Sequence, residues 1–172
     1  VEVIAPICDG HVIIGLGGNL EPRLDRIVEA STRIAELPRT KWLRGSPVYE
    51  SAPLGPPQPR YLNAAVRIHT ALSLTHLMQR LLAIECDLGR DRGRQTVRWG
   101  PRAIDLDILW APAPVCTADL VVPHPELTKR AFALRPLLDV APELRSHYEH
   151  ALRTLDLEEP LTLVAPHLQT DS

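Results

Sequence analysis

The run Arg98 to Leu109, RWGPRAIDLDIL, carries two carboxylates where few are expected. From Ala103 onward it alternates as a strand, with Ile104, Leu106 and Ile108 on one side and Asp105 and Asp107 on the other. Aspartate is depleted from strands, and two neighbouring carboxylates repel and are costly to remove from water without a cation. Magnesium resolves the conflict, because it takes oxygen ligands and is typically held by one or two carboxylates plus substrate phosphates. The upstream residues point the same way. Arg90, Arg92, Arg94, Arg98 and Arg102 follow Gly89, separated by glycine and polar residues rather than spaced along a helix face. Guanidinium forks match phosphate oxygens bidentately, so the acidic strand and the arginines together predict a polyphosphate whose charge is shared between protein and metal. The plainer readings are a solvated loop and a solvent-facing strand edge.

Other residues suit a flat acceptor. Tyr61 and Phe132, the single Phe of the chain, can sandwich a heterocycle whose edge Asn63 hydrogen-bonds, although each taken alone is more often a core residue. Gly15-Leu16-Gly17-Gly18-Asn19 lacks the third glycine of a dinucleotide fingerprint and the Gly-Lys-Ser/Thr of a P-loop. It predicts a tight strand-to-helix turn, with room for a ligand to approach the backbone. The segment Gly89 to Thr96 has two glycines and no apolar anchor, which predicts a mobile loop that closes on bound substrates. His147 and His150 read as a solvated helix face rather than a metal site.

These side chains must be held by regular elements. A strand is predicted over His11 to Leu16, then a helix from Pro22 with Leu24, Ile27, Val28, Ile34 and Ala35 at helical spacing, closed by Pro38. Lys41 to Glu50 is extended, and SAPLGPPQPR, with four prolines in ten residues, excludes both helix and central strand. Leu62 to Thr70 alternates as a half-buried strand. Ser73 caps a helix with Leu74, Leu77, Met78, Leu81 and Leu82 on its apolar face and Gly89 at its C-terminal stop. Glu85 continues that apolar face, an odd place for a carboxylate. After the acidic strand come a short strand at Leu120 to Val122, helices near Ala131 to Leu138 and Ser146 to Leu155, and an edge strand at Leu161 to Val164. Several connections are too short for parallel crossovers, so the class is α+β with a mostly antiparallel sheet.

At 172 residues the chain predicts one domain over 1–172, with 1–10 peripheral. Apolar residues are 45%, charged residues 23% and the net charge is -2, which gives no general attraction to nucleic acid or acidic membranes. No apolar run reaches bilayer length and no secretory signal is visible, so the expected place is the cytoplasm. Cys8, Cys86 and Cys116 match neither a disulfide framework nor a zinc pattern. The expected partners are small-molecule substrates, without nucleic acid, membrane or an obligate protein partner. Two alternatives stay open, an RNA-binding α+β module using the arginine loop and another magnesium-dependent nucleotidyl or phosphoryl transferase.

Taken with IIGLGGNL, PVYESAPLGPPQPRYLNAAV, IECDLGRDR, VVPHPELTKRAF and LDVAPEL, the run RWGPRAIDLDIL resembles the 6-hydroxymethyl-7,8-dihydropterin pyrophosphokinase family over about Val12 to Leu144. The resemblance implies a three-layer α/β/α sandwich around a mostly antiparallel sheet with a ferredoxin-like core. It also implies transfer of pyrophosphate from ATP, the co-substrate, to the pterin hydroxymethyl group, with release of AMP. By the same resemblance Asp105 and Asp107 bind two Mg2+ ions and join Arg90 and Arg92 as the catalytic set. Glu85, Arg98, Arg102, His124 and Arg130 bind the nucleotide, and Ser51, Leu54, Tyr61, Asn63 and Phe132 hold the pterin. Departures are Gly18 where members often have Ser, Ser51-Ala52 where they have Thr-Pro, and Pro125 where some have Tyr. The arginine loop is also longer than in short bacterial members, so Arg92 or Arg94 fills the second loop-arginine role.

Overall fold

In the computed structural model, residues 10–91, 93, 100–158 and 160–169 are described. Strand β1 (Gly10–Gly18) leads into helix α1 (Arg23–Ala35); β2 (Thr40–Gly45), β3 (Val48–Ser51) and β4 (Tyr61–Thr70) follow, then α2 (Leu74–Asp87) and β5 (Asp105–Trp110). A two-stranded ribbon of β6 (Val115–Cys116) and β7 (Val121–Val122) precedes α3 (Ala131–Val140), α4 (Arg145–Glu158) and β8 (Thr162–Ala165). The main sheet has the order β5-β1-β4-β3-β8, with β2 also on β4, and its described pairings are all antiparallel. With β2 and β3 counted as one interrupted strand, β1 to β5 form a β-α-β-β-α-β unit in which β4 lies between β1 and the strand that follows α1, the ferredoxin-like arrangement.

Alternation in β1 divides the core in two. Val12, Ile14 and Leu16 join Val66, Ile68, Leu106 and Ile108 under α1 and α2, while Ile13 joins Ala65 and Leu109 under α3 and α4. The sheet is therefore the middle of three layers. Ile27 and Ile34 of α1 are fully buried, each contributing about 1.5–3 kcal/mol. The face of α1 differs from the expected one. Leu24 and Val28 are exposed, whereas Ala30 and Ser31 face the sheet.

Between β2 and β3 the chain breaks at Ser46-Pro47, where proline offers no N–H to the ladder. The Ser46 hydroxyl accepts the Ala65 N–H at 2.8 Å, and the Ser46 N–H donates to the Ala65 carbonyl at 2.9 Å. The tail closes the gap: the Leu168 N–H donates to the Ser46 carbonyl at 2.9 Å, and a Cβ on Gly45 would lie 2.5 Å from the Leu168 carbonyl oxygen.

The glycine run corrects the sequence reading. Gly15, Gly17 and Gly18 belong to β1 itself, paired to β4 throughout, and the turn to α1 comes after them. Glycines have no hydrophobic face to alternate, so the strand signal stopped early. A Cβ on Gly18 would meet the Ala103 carbonyl oxygen at 2.5 Å, which explains glycine there by close backbone approach.

Candidate active site

Asp105 and Asp107 open a cleft because of what stands across from them. Asp105 pairs with Gly17 and Asp107 with Gly15, so β1 presents no side chain between β5 and β4 at this level. Gly17 is in register with Asn63, and Ser51 lies across from Tyr61. One row therefore runs from carboxylate through bare glycine backbone to amide. The cleft above it opens to solvent, holds about 120 Å³ of space and is lined from β1, β3, β4, β5 and α3.

On the β3/β4 side, Ser51, Leu54, Tyr61 and Asn63 line the cleft, and Phe132 and Ala133 reach it from the first turn of α3. Asn63 donates to the Ser51 hydroxyl at 2.9 Å, which fixes its amide, and the Tyr61 hydroxyl donates to the Gly100 carbonyl at 3.0 Å. Arg102, His124 and Arg130 also line it. The Arg130 guanidinium lies 5.9 Å from the centre of the Phe132 ring. The His124 Nδ1 accepts the Glu126 N–H at 3.2 Å, which leaves the proton on Nε2. Burial, with the Arg130 charge, lowers the His124 pKa, so the ring is a neutral donor at pH 7.

The acidic strand is supported from below by Glu85. Helix α2 ends in a Schellman motif at Gly89, which has φ +93: the Arg90 N–H donates to the Glu85 carbonyl at 2.9 Å and the Gly89 N–H to the Cys86 carbonyl at 3.1 Å. That turn folds Arg90 back onto its own helix. Its guanidinium donates to Glu85 Oε1 at 2.7 Å and also to Asp105 Oδ1. Glu85 Oε1 in turn accepts the Leu106 N–H at 2.7 Å on the outer side of β5, the edge strand. The carboxylate on an apolar helix face is thus buried, 1% exposed, because it caps a sheet edge and pairs an arginine.

The two aspartates are unequal. Asp105 is held by Arg90 and by Arg102, whose guanidinium donates to Oδ2 at 2.7 Å. Burial raises its pKa, but the two guanidiniums outweigh that and hold the carboxyl below its usual range. Asp107 has no ion pair or hydrogen bond of its side chain among the described residues; burial, then the charges of Asp105 and Glu85, push it up to about 7. A further cation would satisfy it. No cluster of three or more His, Cys, Asp or Glu residues suited to a metal occurs among the described residues. The donor set is hard oxygen from two carboxylates, which fits magnesium sharing its remaining positions with phosphate and water.

Of the residues expected at the site, Ser51, Leu54, Tyr61, Asn63, Arg102, Asp105, Asp107, His124, Arg130 and Phe132 line one cleft. Glu85 and Arg90 lie beside it, and Arg90 is anchored rather than carried on a free loop. Arg92, Arg94 and Arg98 lie outside the described residues, as does half of the loop expected to close. Sequence reasoning missed Asn19, a buried amide following the glycines, and Gln58, which it bonds. The only signal was a polar residue ending an apolar strand.

The model of a family described as 7,8-dihydro-6-hydroxymethylpterin-pyrophosphokinase (HPPK) matches residues 13–142. The chain is 41% identical over 137 residues to a 2-amino-4-hydroxy-6-hydroxymethyldihydropteridine pyrophosphokinase of Synechocystis sp., covering 79% of this chain and 68% of that protein. It is 42% identical over 137 residues to the Pseudomonas aeruginosa protein of the same name, covering 78% and 83%. Among solved structures, an HPPK-DHPS in complex with substrates superimposes with a TM-score of 0.62 at 13% identity, over 87% of this chain and 44% of that one. Plasmodium falciparum HPPK-DHPS with pteroate gives 0.65 at 12%, over 87% and 45%. At those identities the likeness concerns the fold alone, and this chain spans less than half the length of those two.

Proposed function

Since the chain belongs to the 7,8-dihydro-6-hydroxymethylpterin-pyrophosphokinase family, we propose that the cleft over Gly15 and Gly17 is where its two substrates meet. The enzyme transfers pyrophosphate from MgATP to the hydroxymethyl group of 6-hydroxymethyl-7,8-dihydropterin, releasing AMP, in folate biosynthesis. The observation that carries the assignment of sides is the row across the sheet, with carboxylates on β5, bare backbone on β1 and amide on β4. The pterin lies on the glycine floor between Tyr61 and Phe132, with Asn63 and Ser51 at its polar edge and Leu54 at the mouth. Arg102, Arg130 and the His124 Nε2–H face the triphosphate. Glu85 acts through Arg90 and β5 as a positioning residue, and Arg98 with Arg92 or Arg94 would bind the same nucleotide.

Asp105 and Asp107 would hold magnesium, as two ions, which would supply charge neutralisation at the phosphate oxygens. The residues of the chain do the remaining work. They fix the hydroxymethyl oxygen and the phosphate in line, and they withhold water from both. Arg102 is placed to serve the phosphate and Asp105 together, so its orientation does not need to be found anew in each turnover.

The two cores share one sheet, so we read residues 1–172 as one domain. Cys86 and Cys116 are unpaired and exposed, which supports a reducing compartment such as the cytoplasm. Among the described residues no helix is long and apolar enough to cross a membrane. The RNA-binding alternative is not favoured beside the family match. Incubation with ATP, magnesium and hydroxymethyl-dihydropterin, followed by chromatography, is expected to yield AMP and a pyrophosphorylated pterin in equal amounts. ADP or free pyrophosphate as the nucleotide-derived product would instead identify a different transferase.

A further inference from the structure

Helix α3 brings Phe132 to the cleft, and its seat on the sheet decides where that ring stands. The seam is apolar, with Leu134, Leu137 and Leu138 packed among Ile13 and Ala65 of the sheet. Such contacts have no preferred direction, so they hold the helix down without fixing its rotation. A directional tie does fix it. The Tyr49 hydroxyl on β3 donates to Asp139 Oδ2 at 2.7 Å. Burial, and then the bond to Asp139, push the Tyr49 pKa up, so the hydroxyl keeps its proton and remains the donor. At the end of the helix the Arg67 guanidinium also donates to the Val140 carbonyl, at 3.3 Å.

Asp139 follows Phe132 by seven residues, about two turns, so the two side chains project from nearly the same face of α3. Between them Pro136, four residues after Phe132, has no N–H to offer the Phe132 carbonyl. The turn that carries the ring lacks that bond. It is held by the Arg130 carbonyl, which accepts the Ala133 and Leu134 N–H groups at 3.1 and 3.0 Å, and by the seating of the helix. Tyr49 is also in register with Asn63 and shares its sheet face. We propose that Tyr49 is a positioning residue for the pterin: through Asp139 it sets the rotation of α3, and so holds the Phe132 ring in place over the strand pair that carries Asn63. The proposal rests on the placement of the pterin between Tyr61 and Phe132 given above.

The test is titration of hydroxymethyl-dihydropterin into wild type, Tyr49→Phe, Asp139→Asn, Phe132→Ala and the double variant Tyr49→Phe with Phe132→Ala, all with a non-hydrolysable MgATP analogue at saturation. Tyr49→Phe keeps the ring and loses only the hydroxyl, and should weaken pterin binding roughly three- to tenfold, the size of one lost hydrogen bond. Asp139→Asn keeps an oxygen to accept the hydroxyl and should stay within about twofold of wild type. A merely structural role for Tyr49 would act whether or not the Phe132 ring is present. In the Phe132→Ala background, therefore, Tyr49→Phe should have an effect of less than about twofold. Separate titration of the MgATP analogue should change by no more than about twofold in Tyr49→Phe. No loss in Tyr49→Phe, a loss that persists in full without the Phe132 ring, or an equal loss of nucleotide affinity overturns the proposal. Wild type that binds no pterin, or Phe132→Ala that binds it normally, overturns instead the placement of the pterin on which the proposal rests.

Discussion

Replacing Asp107 with Asn removes the carboxylate that lacks a partner among the described residues, and the structure fixes the direction of the result. Asp107 is pushed from an ordinary 3.8 to about 7 by burial and by its neighbours Asp105 and Glu85. A carboxyl whose pKa is raised on folding contributes stability below its unfolded value, and that contribution is lost as pH rises through the folded value. The loss grows from about pH 4 and levels off above about pH 7. A displacement of about three pH units at about 1.4 kcal/mol each sets an upper bound near 4 kcal/mol. Asp107 is only half-buried, and solvent reaching the cleft reduces the realised figure to roughly 2 kcal/mol. Urea denaturation with chelator present should therefore find Asp107→Asn more stable than wild type at pH 8 by roughly that amount, and nearly equal at pH 4. Magnesium at pH 8 should narrow the gap by stabilising wild type. A variant that is less stable at pH 8, or a gap that is the same at both pH values, would refute the reasoning.

Phe132→Ala should weaken pterin binding by about 1–3 kcal/mol by titration, taking base-on-aromatic stacking as the guide, and leave MgATP affinity nearly unchanged. An equal loss for both ligands would mean a damaged core instead. Gly18→Ala places a Cβ 2.5 Å from the Ala103 carbonyl oxygen and should cost about 1–3 kcal/mol in urea. In contrast, Gly17→Ala meets Asn63 Oδ1 at 3.4 Å and the Leu62 carbonyl oxygen at 3.8 Å, both ordinary contacts, so it should fold normally and lose roughly tenfold in pterin affinity as the floor rises. Glu85→Ala takes one of its two carboxylate partners from Arg90 and the acceptor from the buried Leu106 N–H, and should cost about 3–5 kcal/mol in thermal or urea unfolding, whereas Glu85→Gln, which keeps an oxygen there, should cost less than half as much.

Periodicity revealed most of the elements: the helix at Leu74–Asp87 buries one regular face, whereas the strand at Tyr61–Thr70, which alternates in sequence as if half-buried, lies in the middle layer and buries both faces from Leu62 to Val66. It failed where the burying residue was not apolar. Ser31 is buried on α1 while Leu24 and Val28 are not, and β1 ends through Gly15, Gly17 and Gly18, which carry no face at all. The acidic pair was legible, since two carboxylates on one strand face have few uses. Its partners were not. That Asp105 looks across at Gly17, that Glu85 caps the edge of β5 from another element, and that Asn19 joins two loops are facts of strand order and long-range pairing. A single sequence contains those residues, but only the folded register brings them together.

The part of the chain shared with the family ends at residue 142, but the part that folds does not. Tyr148, Leu152 and Leu155 complete the layer behind α3, and Leu168 fills the break between β2 and β3. A boundary drawn by homology would sever α4 and β8, leave the helix that carries Phe132 without its backing, and turn β3 into a bare edge open to other chains. The span that a family model matches and the span that must cooperate to fold are therefore different units, and the segment after residue 142 serves as the backing of the catalytic wall.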